Sequence, residues 1–542
     1  MPTQSRSLNR RVPLIVALAA LALALCAPQA LAARYAYTGN YGNNTVSAID
    51  TATNQIVGSP IPVGESPSTL AVTPNGKTLY VGDESNDNLK VIDTQTNQVV
   101  TTIPLTYEGE DREASVIAIS PDGKTAYVSS YNLEGILVID TQTNQVVGSH
   151  IPLSGKAWGV AFSPDGSVAY ATNYDTDEVQ VINTATRQVV GAITVGEDPV
   201  NLVFSPDGKT AYVVNEGTTL IPGTVSVIDT ATRQVVGSPI PVGHDAWGIG
   251  LTPDGSKLYV SSTTDSNVTV IDTAARQVVG SPIPVGAAPY ELAVTPDGKS
   301  VYVANYEGEE EGSGRGVTVI NTQTNQTTDI NVTGGPWQVT IVPDQSPVAS
   351  FTAKASKKNP LQIAFSSTTV DSDGAVAAYD WNFGDGKTAV NGSPTPKHKY
   401  AKAGKYTVGL TATDNEGCSA TMVFTGRTAF CSGAPAAALP ITVKAPNNFK
   451  FGKLIRNTKT GTAKLKVKVP YAGKLTLSGR GVKKTKRGAK KKGVVTLSIK
   501  PKPKTLKALG KSGSAKVRVK VTFKPKGNKA KTKGRSLKLI KR

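Results

Sequence analysis

A tandem repeat constrains this chain more than any other feature. The turn Pro121-Asp122-Gly123 recurs as Pro74-Asn75-Gly76, Pro164-Asp165-Gly166, Pro206-Asp207-Gly208, Pro253-Asp254-Gly255 and Pro296-Asp297-Gly298, and in part at Pro343-Asp344. Successive prolines stand 47, 43, 42, 47, 43 and 47 residues apart. Six residues after each of the first six prolines comes Tyr80, Tyr127, Tyr170, Tyr212, Tyr259 or Tyr302, and Tyr37 holds the same place in an incomplete opening unit. A Val-Ile-Asp-Thr-like segment follows each tyrosine, ending at Asp50, Asp93, Asp140, Asn183, Asp229, Asp272 or Asn321. β-branched residues and two-residue alternation make these segments strands. Pro-Asp-Gly is a hairpin turn, with Pro setting φ and Gly accepting positive φ.

Each unit therefore holds four short strands, the arithmetic of a propeller blade. The chain enters the repeat at a second strand and leaves it, near Trp337 to Val342, at a first strand. That last strand can complete the opening blade and close the ring without open edges. The expectation is an all-β chain: a seven-bladed β-propeller over 33–345, followed by further β modules.

Those modules show in the charge. Residues 444–542 carry 34 Lys plus Arg and no carboxylate, whereas 33–345 carry 13 basic and 34 acidic residues. An acidic body joined to a basic end suggests different partners for the two. Within 444–542, Leu465-Lys466-Val467-Lys468-Val469 and Val517-Arg518-Val519-Lys520-Val521 alternate as strands with one buried face. A small basic β-sandwich-like module is the reading, a partly disordered tail its rival. Lys483, Lys484, Lys486, Arg487, Lys490, Lys491 and Lys492 form clusters expected in loops, suited to an external polyanion. Anionic cell-wall polymer or lipid headgroups come before DNA as that partner, because only Tyr471 and Phe523 offer rings for base stacking.

At the N-terminus Arg6, Arg10 and Arg11 precede an apolar run, and Ala30-Leu31-Ala32 offers a small-x-small cleavage pattern. Residues 1–32 read as a secretory signal peptide, which gives a secreted or cell-surface address. Leu25 before Cys26 argues against a lipoprotein signal. Cys418 and Cys431 then remain, a disulfide in an exported chain. It would contribute roughly 3 kcal/mol by loop entropy.

Two resemblances add to this reading. Tyr170-Ala171-Thr172-Asn173, Tyr302-Val303-Ala304-Asn305 and the recurring Val-Ile-Asp-Thr-x-Thr-x-Gln-Val-Val resemble the YVTN-type β-propeller repeat family, which includes exported and surface-layer-associated proteins. Residues 346–443, with Trp381-Asn382-Phe383-Gly384-Asp385-Gly386, resemble a PKD domain, an immunoglobulin-like β-sandwich. That resemblance implies a spacer or adhesion module with Trp381 and Phe383 in its core. The stretch from Glu416 to Ala438, with both cysteines, departs from the usual short hairpin and is expected as a stapled excursion.

Candidate sites follow from the repeat. Extra residues fall only in links expected on one face: 106–113, 217–223 and 306–316. Six residues before the repeat prolines stand Trp158, Trp247, Tyr290 and Trp337, able to stack a sugar ring or another planar group. Their shared parity with Val160 and Ile249 favours packing between blades instead. Glu108, Glu110, Asp111 and Glu113, and Glu307, Glu309, Glu310 and Glu311, form acidic loops. His244, Asp245, Arg112, Asp198 and Glu291 could assemble a lactonase-like site. No nucleophile or metal-hydrolase motif accompanies them, so no enzyme is expected. No cofactor is expected either. Asp371 and Asp373, ahead of Gly374, are the candidate Ca²⁺ ligands, against a plain acidic turn. The chain reads as an exported, non-catalytic scaffold: the propeller would meet other surface proteins or carbohydrate, and the basic end an anionic polymer.

Overall fold

A computed structural model describes residues 34–107, 110–306, 316–427 and 429–542. The signal-peptide reading, Cys26, Glu108 and the acidic run Glu307 to Glu311 lie outside these residues. The chain forms two compact units. One takes residues up to Pro347 together with 371–375 and 413–434; the other takes 348–370, 376–412 and 435–542. The expected PKD span is thus shared between units, because two of its loops cluster with the propeller.

The first unit is a seven-bladed ring. A middle blade runs Ala157–Phe162, Val168–Asn173, Glu178–Asn183 and Gln188–Thr194, all antiparallel. The opening blade has only Tyr35–Asn40, Thr45–Asp50 and Gln55–Pro62 from the start of the chain. Pro336–Ile341 pairs with Tyr35–Asn40, Ala36 opposite Ile341, and supplies the missing innermost strand. Closure therefore comes from strands 300 residues apart, as the phase of the repeat requires. Inside the Pro-Asp-Gly turns, Asp122 accepts hydrogen bonds from the Ser120 hydroxyl at 2.7 Å and the Lys124 amide at 3.1 Å. Gly123 at φ +70° faces Pro74 of the preceding turn, and Gly166, Gly208, Gly255 and Gly298 repeat this contact around one end of the ring.

The recurring tyrosines are buried and latch neighbouring blades. Tyr37 donates to Asn97 Oδ1 at 2.6 Å and Tyr80 to Asn144 Oδ1 at 2.7 Å. Tyr302 donates to Asn54 across the closure. These asparagines hold φ of 54–56°, a left-handed turn position that Asn tolerates. Arg187, Arg233 and Arg276 occupy that turn position beside Tyr127, Tyr170 and Tyr212. The Tyr259 hydroxyl is buried without a partner among the described residues.

The second unit holds two sandwiches. In one, Trp381, Phe365, Phe383 and Tyr400 fill the core, and Tyr400 donates to the Phe383 carbonyl at 2.9 Å. In the other, a sheet of Lys450–Asn457, Thr462–Val469 and Gly493–Ile499 lies with a sheet of Thr485–Ala489, Gly473–Arg480, Ser514–Pro525 and Lys531–Ile540 over one apolar core. The alternation of Lys with Leu or Val buries the apolar face and exposes the lysines. The basic end is a folded module, not a tail. It also contains a helix, Pro503–Ser512, that the strand pattern did not announce. Pro opens the helix, and Gly513 closes it by donating its amide to the Leu509 carbonyl. Among the described residues no helix is long and apolar enough to cross a membrane.

The latch yields a paired test. Tyr80→Phe removes a buried inter-blade hydrogen bond and is expected to cost about 1 kcal/mol. Tyr259→Phe removes a hydroxyl with no partner and should leave stability unchanged or raised; chemical denaturation of the two variants measures the difference.

Candidate functional site

The propeller channel has two different ends. At the end of the Pro-Asp-Gly turns it is filled by residues 413–434. Asp414 begins this excursion by accepting the amides of Glu416, Gly417 and Cys418. Cys418 and Cys431 are joined in a disulfide, with 5.5 Å between their Cα atoms. Between them a short hairpin, Val423–Phe424 with Ala429–Cys431, enters the ring. The carbonyls of Thr425, Gly426 and Arg427 accept the amides of Phe204, Phe162 and Ile119 at 2.7, 2.8 and 3.1 Å. Those three amides belong to the innermost strands of three consecutive blades. Phe424 and Ala429 join the apolar cluster around Tyr127 and Phe162. Gly426 is required: φ is +135° and a Cβ would come within 2.8 Å of the Ala161 Cβ. Arg427 then reaches Glu291, Nη1 to Oε1 at 3.0 Å and Nη2 to Oε2 at 3.1 Å. A void of about 60 Å³ remains beside Arg427 and Phe430. The excursion is a stopper.

The opposite end opens as a cup of about 360 Å³. Trp158, Trp247 and Trp337 line it, with Tyr131, Ser68, Ser115, Glu84, Glu113, Glu291 and Gln338. Trp158 and Trp247 meet edge to face at 5.1 Å between ring centres, over the intervening blade. Tyr290 bridges Trp247 at 5.5 Å and stacks on Trp337 at 4.0 Å. Parity pointed these rings between blades, but the strand register slips at each of them. The slips lie between Ala157 and Val160, Ala246 and Ile249, and Pro289 and Leu292, and Trp337 is skipped in the closing pair. A bulge turns the side chain out of register, so the three indoles line the cup, Tyr290 stacks on Trp337 outside the lining, and Trp158 and Trp247 still press on blade cores.

The other candidates do not form one constellation. His244 Nδ1 lies 3.1 Å from Asp265, and the His244 amide donates to the same carboxylate. Asp245 accepts the Thr264 hydroxyl. Arg112 Nη1 donates to the Asn132 carbonyl at 3.2 Å. Glu291 is held by Arg427 and by Asn201 at 2.9 Å. Thus the acid and the histidine of the lactonase-like reading each have a different partner. Sequence reasoning missed Glu216: burial, then Asp245, push its carboxyl up to about 7 despite its bond to Tyr174. Burial and then Glu113 likewise raise Glu84.

Asp371 and Asp373 belong to a larger carboxylate cluster with Asp344, Asp414 and Glu416. Asp344 Oδ2, both Asp371 oxygens, Asp414 Oδ2 and Glu416 Oε2 are buried with no hydrogen-bond partner among the described residues. Arg34 answers them, bonding Glu416 and the Asp373 carbonyl. Cys418 lies beside Asp344 and Asp414, but its sulfur is committed to the disulfide. Asp344 and Asp414 bring carboxylate oxygens within 4.8 Å of each other, whereas Asp371, Asp373 and Glu416 complete no such group among the described residues; the oxygen donors are of the kind that Ca²⁺ takes. Burial raises the pKa of Asp344, Asp414 and Glu416, and that of Asp373 to about 6.

In the second unit, Lys483, Lys484, Lys490, Lys491 and Lys492 are exposed in loops as expected. Lys486 and Arg487 are equally exposed but lie on Thr485–Ala489, an edge strand rather than a loop. Charged side chains protect such edges from pairing with other chains.

The profile described as lactonase, 7-bladed beta-propeller, matches residues 35–310. The chain belongs to that family of seven-bladed propellers. A PKD-domain profile matches residues 344–427. Over 90 residues the chain is 40% identical to the microbial collagenase of Vibrio alginolyticus, covering 16% of this chain and 11% of that protein. The chain thus spans about a tenth of that relative's length. Among solved structures, hydrazine synthase of Kuenenia stuttgartiensis aligns with a TM-score of 0.47 and 26% identity, over 54% of this chain and 92% of that one. A Bacteroides uniformis protein named as a candidate 6-phosphogluconolactonase aligns with a TM-score of 0.46 and 20% identity, over 57% and 99%.

The carboxylate cluster makes stability depend on pH with a definite sign. Asp344, Asp373, Asp414 and Glu416 hold their protons more tightly folded than unfolded, so their favourable contribution is complete below the unfolded values near 4. It is lost as pH rises through about 6 for Asp373 and through the raised values of its neighbours. Without metal, the melting temperature is expected to fall from pH 5 to pH 8. Millimolar Ca²⁺ should restore it at pH 8 and do little at pH 5. Asp344→Asn should raise the metal-free melting temperature at pH 8 and blunt the response to Ca²⁺.

Proposed function

We propose that this chain is an exported, non-catalytic binding scaffold that takes its ligand in the aromatic cup of the propeller. One observation carries the reading: a channel stoppered at one end opens at the other into a concave site walled by three indoles. Clefts of a few hundred Å³ with aromatic walls and few polar groups are the usual form of a small-ligand site. The bidentate Arg427–Glu291 pair supports binding over hydrolysis, because both carboxylate oxygens already accept guanidinium hydrogens and are not positioned to take a proton from a bound substrate. The PKD-type sandwich serves as a spacer. The basic module, folded and without a carboxylate, holds an anionic cell-wall polymer or lipid headgroups, while DNA would compete for the same charge. The N-terminal signal pattern supports the exported address.

Membership of the lactonase-type family favours hydrolysis as the second reading, and one experiment separates the two. Purified full chain is screened on glycan and peptide arrays and on a panel of five- and six-membered lactones. The proposal expects array binding that Trp247→Ala abolishes, with no lactone turnover above the uncatalysed rate. Turnover lost in Glu291→Gln or His244→Ala would instead establish an enzyme.

Attachment is tested apart from the cup. Replacing Lys483, Lys484, Lys490, Lys491 and Lys492 with Gln should weaken binding to poly(glycerol phosphate) about tenfold at low salt and flatten its salt dependence. Equal binding by the variant would remove the basic module from the account.

A further inference from the structure

We propose that the cup selects a small organic ammonium ion, an assignment that rests on the binding reading above. The wall supplies π faces: Trp158, Trp247 and Trp337 line the cavity, and Tyr290 stacks behind Trp337. Such faces attract a cation through their quadrupole, most strongly when water is excluded. The rim already holds one cation in this way. Lys156 Nζ sits 4.3 Å from the ring centre of Tyr131, a residue of the cup wall, and donates to its hydroxyl at 3.0 Å.

The charge of the lining points in the same direction. Three carboxylates, Glu84, Glu113 and Glu291, face the cavity, and no basic side chain lines it among the described residues. Arg427 neutralises Glu291 from beneath. Glu84 and Glu113 both line the cup, where burial and then the charge of Glu113 push the Glu84 carboxyl up against the lowering effect of Ser68. A neutral sugar could stack on the indoles yet would leave these two charges uncompensated. An ammonium ion satisfies both walls at once: its alkyl shell lies on the rings and its charge between the glutamates. Beyond the rim, Glu216 and Asp245 add negative potential at Tyr290, which favours the approach of cations.

The test uses full-length protein and three soluble probes: choline, its uncharged isostere 3,3-dimethylbutan-1-ol, and methyl β-glucoside. Tryptophan fluorescence and calorimetry report binding. Choline is expected to bind at least about tenfold more tightly than the isostere, as a cation–π contact between desolvated groups requires. Glu84→Gln with Glu113→Gln should erase that preference while the protein stays folded, and Trp247→Ala should remove binding of all probes. If the isostere binds as well as choline, or the glucoside binds more tightly, the ammonium assignment is wrong and the cup still stands as a binding site. If none of the three binds, the ammonium assignment is likewise wrong. Array binding sensitive to Trp247→Ala then shows whether the cup binds anything at all.

Discussion

The backbone groups on the innermost strands govern the rest of this propeller. Each of those strands pairs on one side with its own blade and turns its other edge to the channel. Unpaired amides there cost stability unless something accepts their hydrogens. The ring answers in two ways. Side chains supply some acceptors: Gln338 and Thr69 of neighbouring blades for the Leu70 and Ile117 amides, and Ser261 of the same blade for Gly248. The stopper supplies three backbone carbonyls for Ile119, Phe162 and Phe204. By filling one end, the same segment makes the channel a cup.

The stopper also explains why this chain joins features that pull against each other. Its hairpin is too short to persist alone, and a two-stranded hairpin is marginal in water. The disulfide ties its base, and the Ser346 hydroxyl lies 3.0 and 3.2 Å from the two sulfurs. The carboxylate cluster sits at the same base, where Asp344 leaves the last propeller strand and Asp414 opens the excursion. Charge repulsion there opposes what the disulfide holds together, and a divalent cation would reverse its sign. At the tip, Arg427 places its positive charge under the cup floor and fixes Glu291.

Much of this was legible in the sequence because the repeat is regular. The unit length gave four strands, and its phase gave the closing partner of Tyr35–Asn40. The common register of Trp158, Trp247, Tyr290 and Trp337 marked one structural level. Their direction was not legible, since a bulge changes facing without changing spacing. Nor was the role of the tyrosines, whose hydroxyl partners lie one blade onward. The stapled excursion was legible from its two cysteines, but its place in the channel was not, because Glu416 to Ala438 has no repeat and its hydrogen-bond partners are known only once the ring closes. The helix Pro503–Ser512 escaped because only Leu509 of its residues is buried, which gives no apolar stripe to read.

The account stands or falls on the stopper, and amide hydrogen exchange tests it most directly. In the oxidised full chain the amides of Ile119, Phe162 and Phe204 should exchange as slowly as those in the middle of the blades. Exchange of these three at the rate of exposed loop amides would mean an open channel and would contradict the single-mouthed cup.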